Sequence, residues 1–414
     1  MKFKKWTSVV VMTLFAALAM PVSLVMTAVP ASAQQRSIHR TDLSTWPGSD
    51  RMSQSSQTLP QTPNGKVENQ NRDVRYNVVT IGVLPGKTNT ILANFGRSVN
   101  HLGDVTGFSF VYTGDYHSIF LTTQGFIWHK GKLTALPLLN GYPGAFGFAI
   151  NDSDQVAGAA NLLKSDGGIG QTAVRWDHGQ PTNLGTLKPN SNSYTADINN
   201  WGAAVGTSYS FDDQQALPVV WYGGTVQALP LLPGETAGQA FQISDLGLIV
   251  GHQFSNTNDI PCLWYWNGNG YTAVNLGSFG GDFGEAMGIN LFGQVVGWSL
   301  YAGDIHGPAF VWDAVHGLHA LPSLPGDTDG SGNNINELGQ ITGYSQLFDN
   351  NGNFISQRVV IWQNGTPTDL QTLVPAGSPT FNDVGNINDL GQIAICSGSA
   401  GDGTIASYLL VPTQ

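Results

Sequence analysis

A short motif that recurs seven times constrains this chain more than any other feature. Its clearest copy runs from Ile289 to Gly297 and reads Ile-Asn-Leu-Phe-Gly-Gln-Val-Val-Gly. At spacings of 45 to 52 residues, the asparagine position falls at Asn100, Asn151, Asn199, Ser244, Asn290, Asn336 and Asn388. A regular period of this length is typical of repeat proteins, whose units share one continuous core.

Each copy of the motif predicts a β-hairpin, whose two strands we call a and b. An asparagine opens a turn by accepting a hydrogen bond from the backbone two residues on. The glycine three positions later can take the positive φ of a turn with a glycine bulge. Three copies depart from the pattern: Ser244 replaces the asparagine, Ser153 fills the glycine position with Asp154 one place beyond it, and Ile395 replaces the last glycine.

A second recurring element, strand c, ends in tryptophan in six of the seven units. These residues are Trp128, Trp176, Trp221, Trp264, Trp312 and Trp362, and the seventh unit ends with Leu410 instead. Aromatic side chains bury large areas, so we predict that they form the core between units and do not stack on a ligand. Strand d follows and ends in a Leu-x-x-Leu-Pro-Gly motif, clearest at 229–234 and 321–326.

The order of the strands predicts a ring. Seven a–b hairpins and seven c strands are accompanied by only six following d strands, and the missing one, at 78–86, stands at the front. A ring explains this order, because the first strand completes the last unit and removes exposed sheet edges. We therefore predict an all-β fold, a seven-bladed β-propeller of four-stranded blades, closed by an N-terminal strand that completes the last blade.

The repeats resemble the HAF-repeat family of extracellular bacterial proteins. The resemblance rests on the Ile-Asn-x-x-Gly-Gln-Val-Val-Gly core and the Ala-Phe-Val-Trp strand at 309–312, and it covers about residues 76–414. Pro308 stands where the name-giving histidine is expected. The resemblance implies an exported repeat protein and brings no activity or catalytic residues.

The N-terminus predicts export. Three lysines within the first five residues precede an apolar stretch at 8–29, and an Ala-Ser-Ala cleavage signature follows at 31–33. We assign 1–33 to a secretory signal peptide, with an uncleaved membrane anchor as the alternative. Residues 34–75 are polar and predict a disordered linker or propeptide, with an ordered extension as the alternative. Residues 76–414 form the propeller, which we expect to be secreted or periplasmic.

The charge of the chain excludes some partners. Its net charge is −11, and loss of the three N-terminal lysines without any acid takes it to −14. Nucleic acid and anionic membrane surfaces both attract basic proteins, so neither is an expected partner. Only 11% of residues are charged, against roughly 25% on average, which suits a turn-rich extracellular β-protein. We expect a monomer.

No catalytic motif, metal site or cofactor site is predicted. The Gly-Asp-Thr-Asp-Gly segment at 326–330 lacks the length and terminal glutamate of an EF-hand loop, and we interpret it as a polar turn. Cys262 and Cys396 fall in distant units, so a disulfide between them is not expected. Asp197 and Glu285 are placed at the inner edge of the ring, where a pair of acids could cleave glycosides at a suitable spacing.

The loops between strands b and c are predicted to carry the binding site, because they vary most between units and loops on a rigid scaffold usually bind ligands. Their aromatic rings and polar groups would suit a neutral sugar surface, although ordinary loop polarity is the alternative. The candidate ligand-binding residues are Tyr112, Tyr116, His117, Tyr209, Phe211, Asp212, Tyr301 and Asp304.

These observations favour a binding or scaffold module for extracellular glycan or protein, rather than an enzyme. The first alternative is a polysaccharide-cleaving lyase or hydrolase with acids near the central channel. The second is a purely structural surface protein.

Overall fold

The chain folds into antiparallel β-sheets with four strands from each repeat, arranged as an all-β propeller. This computed structural model describes residues 74–112, 116–164, 168–189, 191–210, 215–399 and 404–413. The predicted signal peptide, and the predicted linker up to residue 73, lie outside the described residues.

The strands follow the predicted a, b, c, d order in each unit. The first unit contains β2 (Asn89–Ile91), β3 (Val105–Phe110), β4 (Gln124–His129) and β5 (Lys132–Ala135). The second contains β6 (Gly144–Ile150), β7 (Val156–Leu163), β8 (Ile169–Asp177) and β9 (Gln180–Asn183). The third contains β10 (Asn192–Ile198), β11 (Ala204–Ser210), β12 (Gln215–Tyr222) and β13 (Thr225–Ala228). The fourth and fifth contain β14 (Ala237–Ile243), β15 (Ile249–Phe254), β16 (Asp259–Trp266), β17 (Tyr271–Asn275); β18 (Gly280–Ile289), β19 (Val295–Tyr301), β20 (Ala309–Asp313) and β21 (Gly317–Ala320). The sixth unit contains β22 (Asp329–Ile335), β23 (Ile341–Phe348), β24 (Phe354–Gln363) and β25 (Thr366–Asp369). The seventh contains β26 (Phe381–Ile387), β27 (Ile393–Ser399) and β28 (Thr404–Pro412). One further strand, β1 (Tyr76–Thr80), comes before the first unit in the sequence.

The sheets do not separate into the seven blades that the sequence predicted. Five are independent four-stranded sheets, whereas the strands of the fourth and fifth units lie in one eight-stranded sheet. The two units are joined by a parallel pair between Asp259 of β16 and Phe283 of β18. This join is possible because β18 has ten residues, while the inner strands of the other units have three to seven, and its extra length reaches the neighbouring sheet.

Asparagine side chains link successive units at the a–b turns. Each Asn Oδ1 accepts hydrogen bonds from the backbone two and four residues on, as at Asn290 with Phe292 and Gln294, which confirms the predicted turn. The Nδ2 then donates to the backbone oxygen of the equivalent residue in the next unit, at 2.8–3.2 Å, from 100 to 151, 151 to 199, 199 to 244, 290 to 336, 336 to 388, and 388 to 100. We call this series the asparagine ladder, and its last bond returns to the first unit.

The glycine position of the second turn was misassigned from the sequence. Asp154, not Ser153, donates its backbone N–H to Asn151 O, as Gly293 does to Asn290 O. Asp154 accordingly has a positive φ of 57°, close to the 72° of Gly293. Aspartate tolerates this left-handed conformation better than most residues do, because its short side chain can hydrogen-bond locally.

The strand-c tryptophans are core residues, as predicted. Trp176, Trp264 and Trp362 are completely buried. Each indole N–H donates to a proline carbonyl at the end of a neighbouring strand d, at 2.8 Å, to Pro137, Pro230 and Pro322 respectively. The Leu-Pro motif therefore supplies the acceptor that a buried indole needs.

The first and last described strands of the chain lie side by side. β1 pairs antiparallel with β28, in register from Tyr76 with Pro412 to Thr80 with Tyr408, in the sheet order β1-β28-β27-β26. Tyr76 is 1% exposed, and Ile81 and Leu84, which follow β1, are also buried. The N-terminal strand is thus held both by backbone bonds and by the core.

Three other features concern the described residues. The connection between strands b and c of the first unit, predicted to be a loop, contains a seven-residue helix, α1 (Tyr116–Thr122), between β3 and β4. Cys262 and Cys396 are both buried and free, as expected from their placement in distant units. Among the described helices, none has the length and apolar character needed to cross a membrane.

Candidate functional site

The residue after each ladder position contributes to a second ring, which we call the polar ring. Its members are His101, Asp152, Asn200, Asp245, Leu291, Glu337 and Asp389. Backbone N–H groups in this ring donate to the side chain of the next unit, as from His101 to Asp152, from Asn200 to Asp245 and from Glu337 to Asp389, at 2.8–2.9 Å. The ring is therefore built by the same turns as the ladder, one residue further along.

His101 bridges two carboxylates of the polar ring. Its Nδ1 lies 3.1 Å from Asp152 Oδ2, and its Nε2 lies 3.2 Å from Asp389 Oδ2. Both nitrogens can donate only in the imidazolium form. The hydrogen bond to Asp152 raises the pKa of His101, against the opposing effect of burial. The histidine thus offsets part of the negative charge of four carboxylates in the ring.

Glu337 carries the least favourable charge in the polar ring. Burial raises the pKa of its carboxyl group to about 7, although a hydrogen bond from the Leu291 backbone lowers it. Both carboxylate oxygens face the Leu291 N–H, at 2.9 and 3.1 Å. The Glu337 carboxylate therefore accepts a backbone hydrogen bond, but its charge is partly removed from water.

We expect Glu337→Gln to stabilise the protein above pH 7. Because the folded pKa is raised, the folded state holds this proton more tightly than the unfolded state does. The protonated carboxyl group of Glu337 therefore contributes stability at low pH, and this contribution is lost as the pH rises from about 4.5 through 7. The amide keeps an acceptor for Leu291 and removes this loss, which we put at about 1 kcal/mol because partial exposure screens the charge.

Melting curves at pH 5 and pH 8 test this expectation, with Asp154→Asn at an exposed turn position as the control. The difference in stability between Glu337→Gln and the parent should grow with pH, and the control should follow the parent. A variant profile parallel to that of the parent would exclude the assigned role of Glu337.

Apolar side chains surround the polar ring. They occupy the second residue after each ladder position and form what we call the apolar crown: Leu102, Trp201, Leu246, Phe292, Leu338 and Leu390. These six are 37–74% exposed. In the second unit, Ser153 takes the equivalent position. Single exposed apolar residues are common on protein surfaces, whereas these six recur at the same turn position of the repeat.

An ion pair lies beside the polar ring, because Arg97 lines the same cavity as His101, Asp152 and Glu337. Arg97, from the irregular segment between β2 and β3, lies 3.1 Å from Asp197 of the third unit. Its guanidinium also donates to the backbone oxygens of Ile198 and Ile243, at 2.8 and 2.6 Å. A Cβ on the preceding Gly96 would lie 2.2 Å from the Ala196 oxygen, so glycine permits this close approach.

The contacts of Asp197 and the position of Glu285 do not suit the pair of acids that was considered for glycoside cleavage. Asp197 is fully buried, and besides Arg97 its Oδ2 accepts a bond from the Ile243 N–H at 3.0 Å. A carboxylate with these partners has no free oxygen facing a substrate. Glu285 lies elsewhere, in a cluster with His252 and Asp259 between the fourth and fifth units.

The His252 cluster combines one imidazole with two carboxylates. His252 Nδ1 lies 2.6 Å from Asp259 Oδ1 and 3.7 Å from Glu285 Oε1. Burial lowers the pKa of His252, but the two carboxylates outweigh it and raise the pKa to about 9. Burial also raises the pKa of Glu285, to about 7. The ring of His252 stacks on Phe241, with centroids 5.0 Å apart.

The structure places the residues predicted from the b–c loops in different environments. Tyr209 is buried beside Ala216 and Ala237, and Tyr112 is partly buried against the core of the first unit. Tyr301 is 46% exposed, and its backbone oxygen accepts a bond from Asp304, so these two are brought together. Phe211 and Asp212 lie outside the described residues, as do the side chains of Tyr116 and His117.

The sequence analysis missed the polar ring and the apolar crown. Both occupy the two variable positions between asparagine and glycine, which the motif leaves open. The signal was nevertheless present, since the second of these positions is Leu, Ser, Trp, Leu, Phe, Leu and Leu in the seven units. A turn position with no fold requirement for apolar residues carries them six times.

Comparisons with known proteins add little about activity. No protein-family model matches the chain, and no curated protein matches it. Among solved structures, the chain is similar to TolB from Acinetobacter baumannii, with 10% identity, coverage of 82% of this chain and 97% of that one, and a TM-score of 0.44. It is also similar to a Mycobacterium tuberculosis puromycin-hydrolyzing peptidase, with 10% identity, coverage of 82% and 51%, and a TM-score of 0.47. At these identities and TM-scores, the similarity carries no argument about the activity of this chain.

Proposed function

We propose that the seven repeats form one closed ring, completed by β1, and that this ring is an exported binding module for an extracellular protein. The asparagine ladder and the β1–β28 pairing support the ring. The apolar crown is the observation that carries the binding function. Trp201 donates its indole N–H to Asp245 O at 2.9 Å, but the other five crown side chains are purely apolar and remain 37–69% exposed. We attribute their recurrence to contact with a partner.

The chemistry of the partner follows from what the crown encloses. The polar ring contains Asp152, Asp245, Glu337 and Asp389, with His101 as its one basic member. An acidic centre within an apolar rim fits a basic side chain or amino terminus flanked by apolar residues, since opposite potentials are matched across interfaces. We therefore propose that a peptide segment of this kind docks on the crown.

Binding of two labelled peptides tests the proposal, one with lysine and one with glutamate between leucine pairs. The parent protein should bind the lysine peptide more tightly, as measured by fluorescence anisotropy. Leu338→Ser combined with Leu390→Ser should weaken this binding by about tenfold or more, because truncation of central apolar contacts typically costs 1 kcal/mol or more each. The double variant should melt with the parent.

The matched control is Tyr222→Ser with Ile355→Ser, which removes apolar residues of 62% and 56% exposure that are not crown residues. It should bind as the parent does. Equal binding of both peptides, or equal loss in both double variants, would contradict docking on the crown. Binding to neutral lipid vesicles, or self-association in sedimentation, would assign the crown to another occupant.

A second candidate function is glycan binding at the b–c loops. The ring of Tyr301, which is 46% exposed, favours it, since a flat exposed ring can stack on a sugar. Screening on a glycan array, with Tyr301→Ala as the variant, separates this function from docking on the crown. N-terminal sequencing of secreted material would show whether residues 1–33 are removed, as the predicted signal peptide requires.

A further inference from the structure

Three side chains from two repeat units converge where the eight-stranded sheet is joined. His252 lies on β15, Asp259 begins β16, and Glu285 lies on β18. One oxygen or nitrogen of each lies within 4.8 Å of those of the other two. His252 and Glu285 are almost completely buried, and Asp259 is the most exposed of the three, with a side chain 17% exposed. Two carboxylates thus share one histidine nitrogen.

Outer contacts hold two of these groups in a fixed orientation. His252 Nε2 lies 3.1 Å from Gln239 Oε1, so the other nitrogen, Nδ1, faces the carboxylates. Trp298 Nε1 donates to Glu285 Oε2 at 3.3 Å, which leaves Oε1 facing His252. Metal-binding histidines and carboxylates usually have their remaining polar atom bonded in this way. The cluster therefore has both the donor set and the supporting contacts of a metal site.

We propose that His252, Asp259 and Glu285 bind a divalent zinc-like metal ion, which replaces the proton on His252 Nδ1. One imidazole and two carboxylates are a donor set that suits Zn²⁺. Two carboxylates balance the charge of the ion once the histidine is neutral, and the displaced proton goes to solvent. This inference is independent of the proposed docking on the crown, which involves other residues.

The two distances measured from His252 bracket the spacing of ligand atoms around a coordinated ion. Metal–ligand bonds of roughly 2.0 Å in a tetrahedral site place ligand atoms about 3.3 Å apart. This value lies between the 2.6 Å and 3.7 Å that separate His252 Nδ1 from the two carboxylates. Loss of the shared proton removes the reason for the shorter contact. The residues nearby also provide access, because Asp259 lines an open pocket with Asn258, Asn275 and Asp282.

Calorimetric titration of the full chain with zinc sulfate, after treatment with a chelator, tests the proposal. We expect one site and a rise of a few degrees in melting temperature on saturation. Titration at pH 7.5 in two buffers of different ionisation enthalpy should reveal release of about one proton per ion. Glu285→Gln should weaken binding by about tenfold or more, and His252→Gln should remove the site.

The control is His316→Gln with His319→Gln, which removes an exposed histidine pair whose rings are 6.2 Å apart and leaves the buried cluster intact. This variant should bind zinc as the parent does. Absence of binding to the parent, or binding that is lost in the surface variant and kept in Glu285→Gln, would overturn the proposal. Proton release is measured on the parent alone, so the test stands even if a buried variant fails to fold.

Discussion

Replacement of Arg97 with alanine is expected to lower the free energy of unfolding by about 3–5 kcal/mol, because it leaves a buried carboxylate without its cation. Asp197 is completely buried. Apart from the Arg97 side chain, its oxygens accept from the backbone N–H groups of Arg97 and Ile243, at 3.2 and 3.0 Å. The same change removes the bonds from Arg97 to the third and fourth units. Chemical denaturation monitored by tryptophan fluorescence measures this loss.

Arg175→Ala provides the matched control. Arg175 pairs with Asp177 at 2.9 Å within the same strand, but both side chains are about one third exposed. Ion pairs of this kind contribute roughly 0–1 kcal/mol. If the two alanine variants lose similar amounts of stability, the Arg97–Asp197 pair does not hold the centre of the ring. Arg97→Met combined with Asp197→Asn should recover part of the loss, since no buried charge then remains and the amide oxygen still accepts from backbone N–H groups.

Removal of residues 1–80 is expected to destabilise the protein by about 5 kcal/mol or more, whereas removal of residues 1–73 should have little effect. The longer truncation deletes β1 and with it the buried ring of Tyr76. It also exposes the edge of β28, whose backbone groups β1 covers from Tyr408 to Pro412. Burial of one large apolar side chain contributes roughly 1.5–3 kcal/mol, and the lost strand bonds add to this. Exposed edges also promote association.

Melting temperature and light scattering of the two truncated proteins distinguish the outcomes. The longer truncation should melt earlier and form larger species, while the shorter one should match the parent. Equal behaviour of the two proteins would mean that β1 does not complete the last sheet, and an open array of repeats would then explain the sequence better.

Much of the fold could be predicted because the repeat fixes it locally. Asn290 and Gly293 determine a turn within four residues, and Trp264 must be buried with a partner for its N–H. Such requirements recur in each unit, so the propeller architecture and the four-stranded blades follow from the pattern. The join between the fourth and fifth sheets does not follow, because it depends on the extra length of β18, and nothing in the motif specifies where a strand ends outside the hairpin.

The candidate sites were less predictable, because they depend on which units meet. Tyr209 was chosen as a loop aromatic, yet it is buried against Ala237 of the next unit. His252, Asp259 and Glu285 are separated by other strands in the sequence, and only the packing of two units brings them together. The crown residues are regular in sequence, but their exposure follows from the side of the ring on which the turns lie.

Among the described residues, the asparagine ladder lacks one bond, the one between the fourth and fifth units. Ser244 has no amide with which to reach the fifth unit, and its hydroxyl instead accepts a bond from Leu248. Gln242 replaces part of this contact by accepting from the Ile289 N–H at 2.6 Å. The fourth and fifth units are thus the pair with the weakest link at the turn end and the only described pair with a continuous sheet. If the contact between these two units opened, we expect the turn end to separate first. The units would then rotate about the sheet join, which lies beside the His252 cluster.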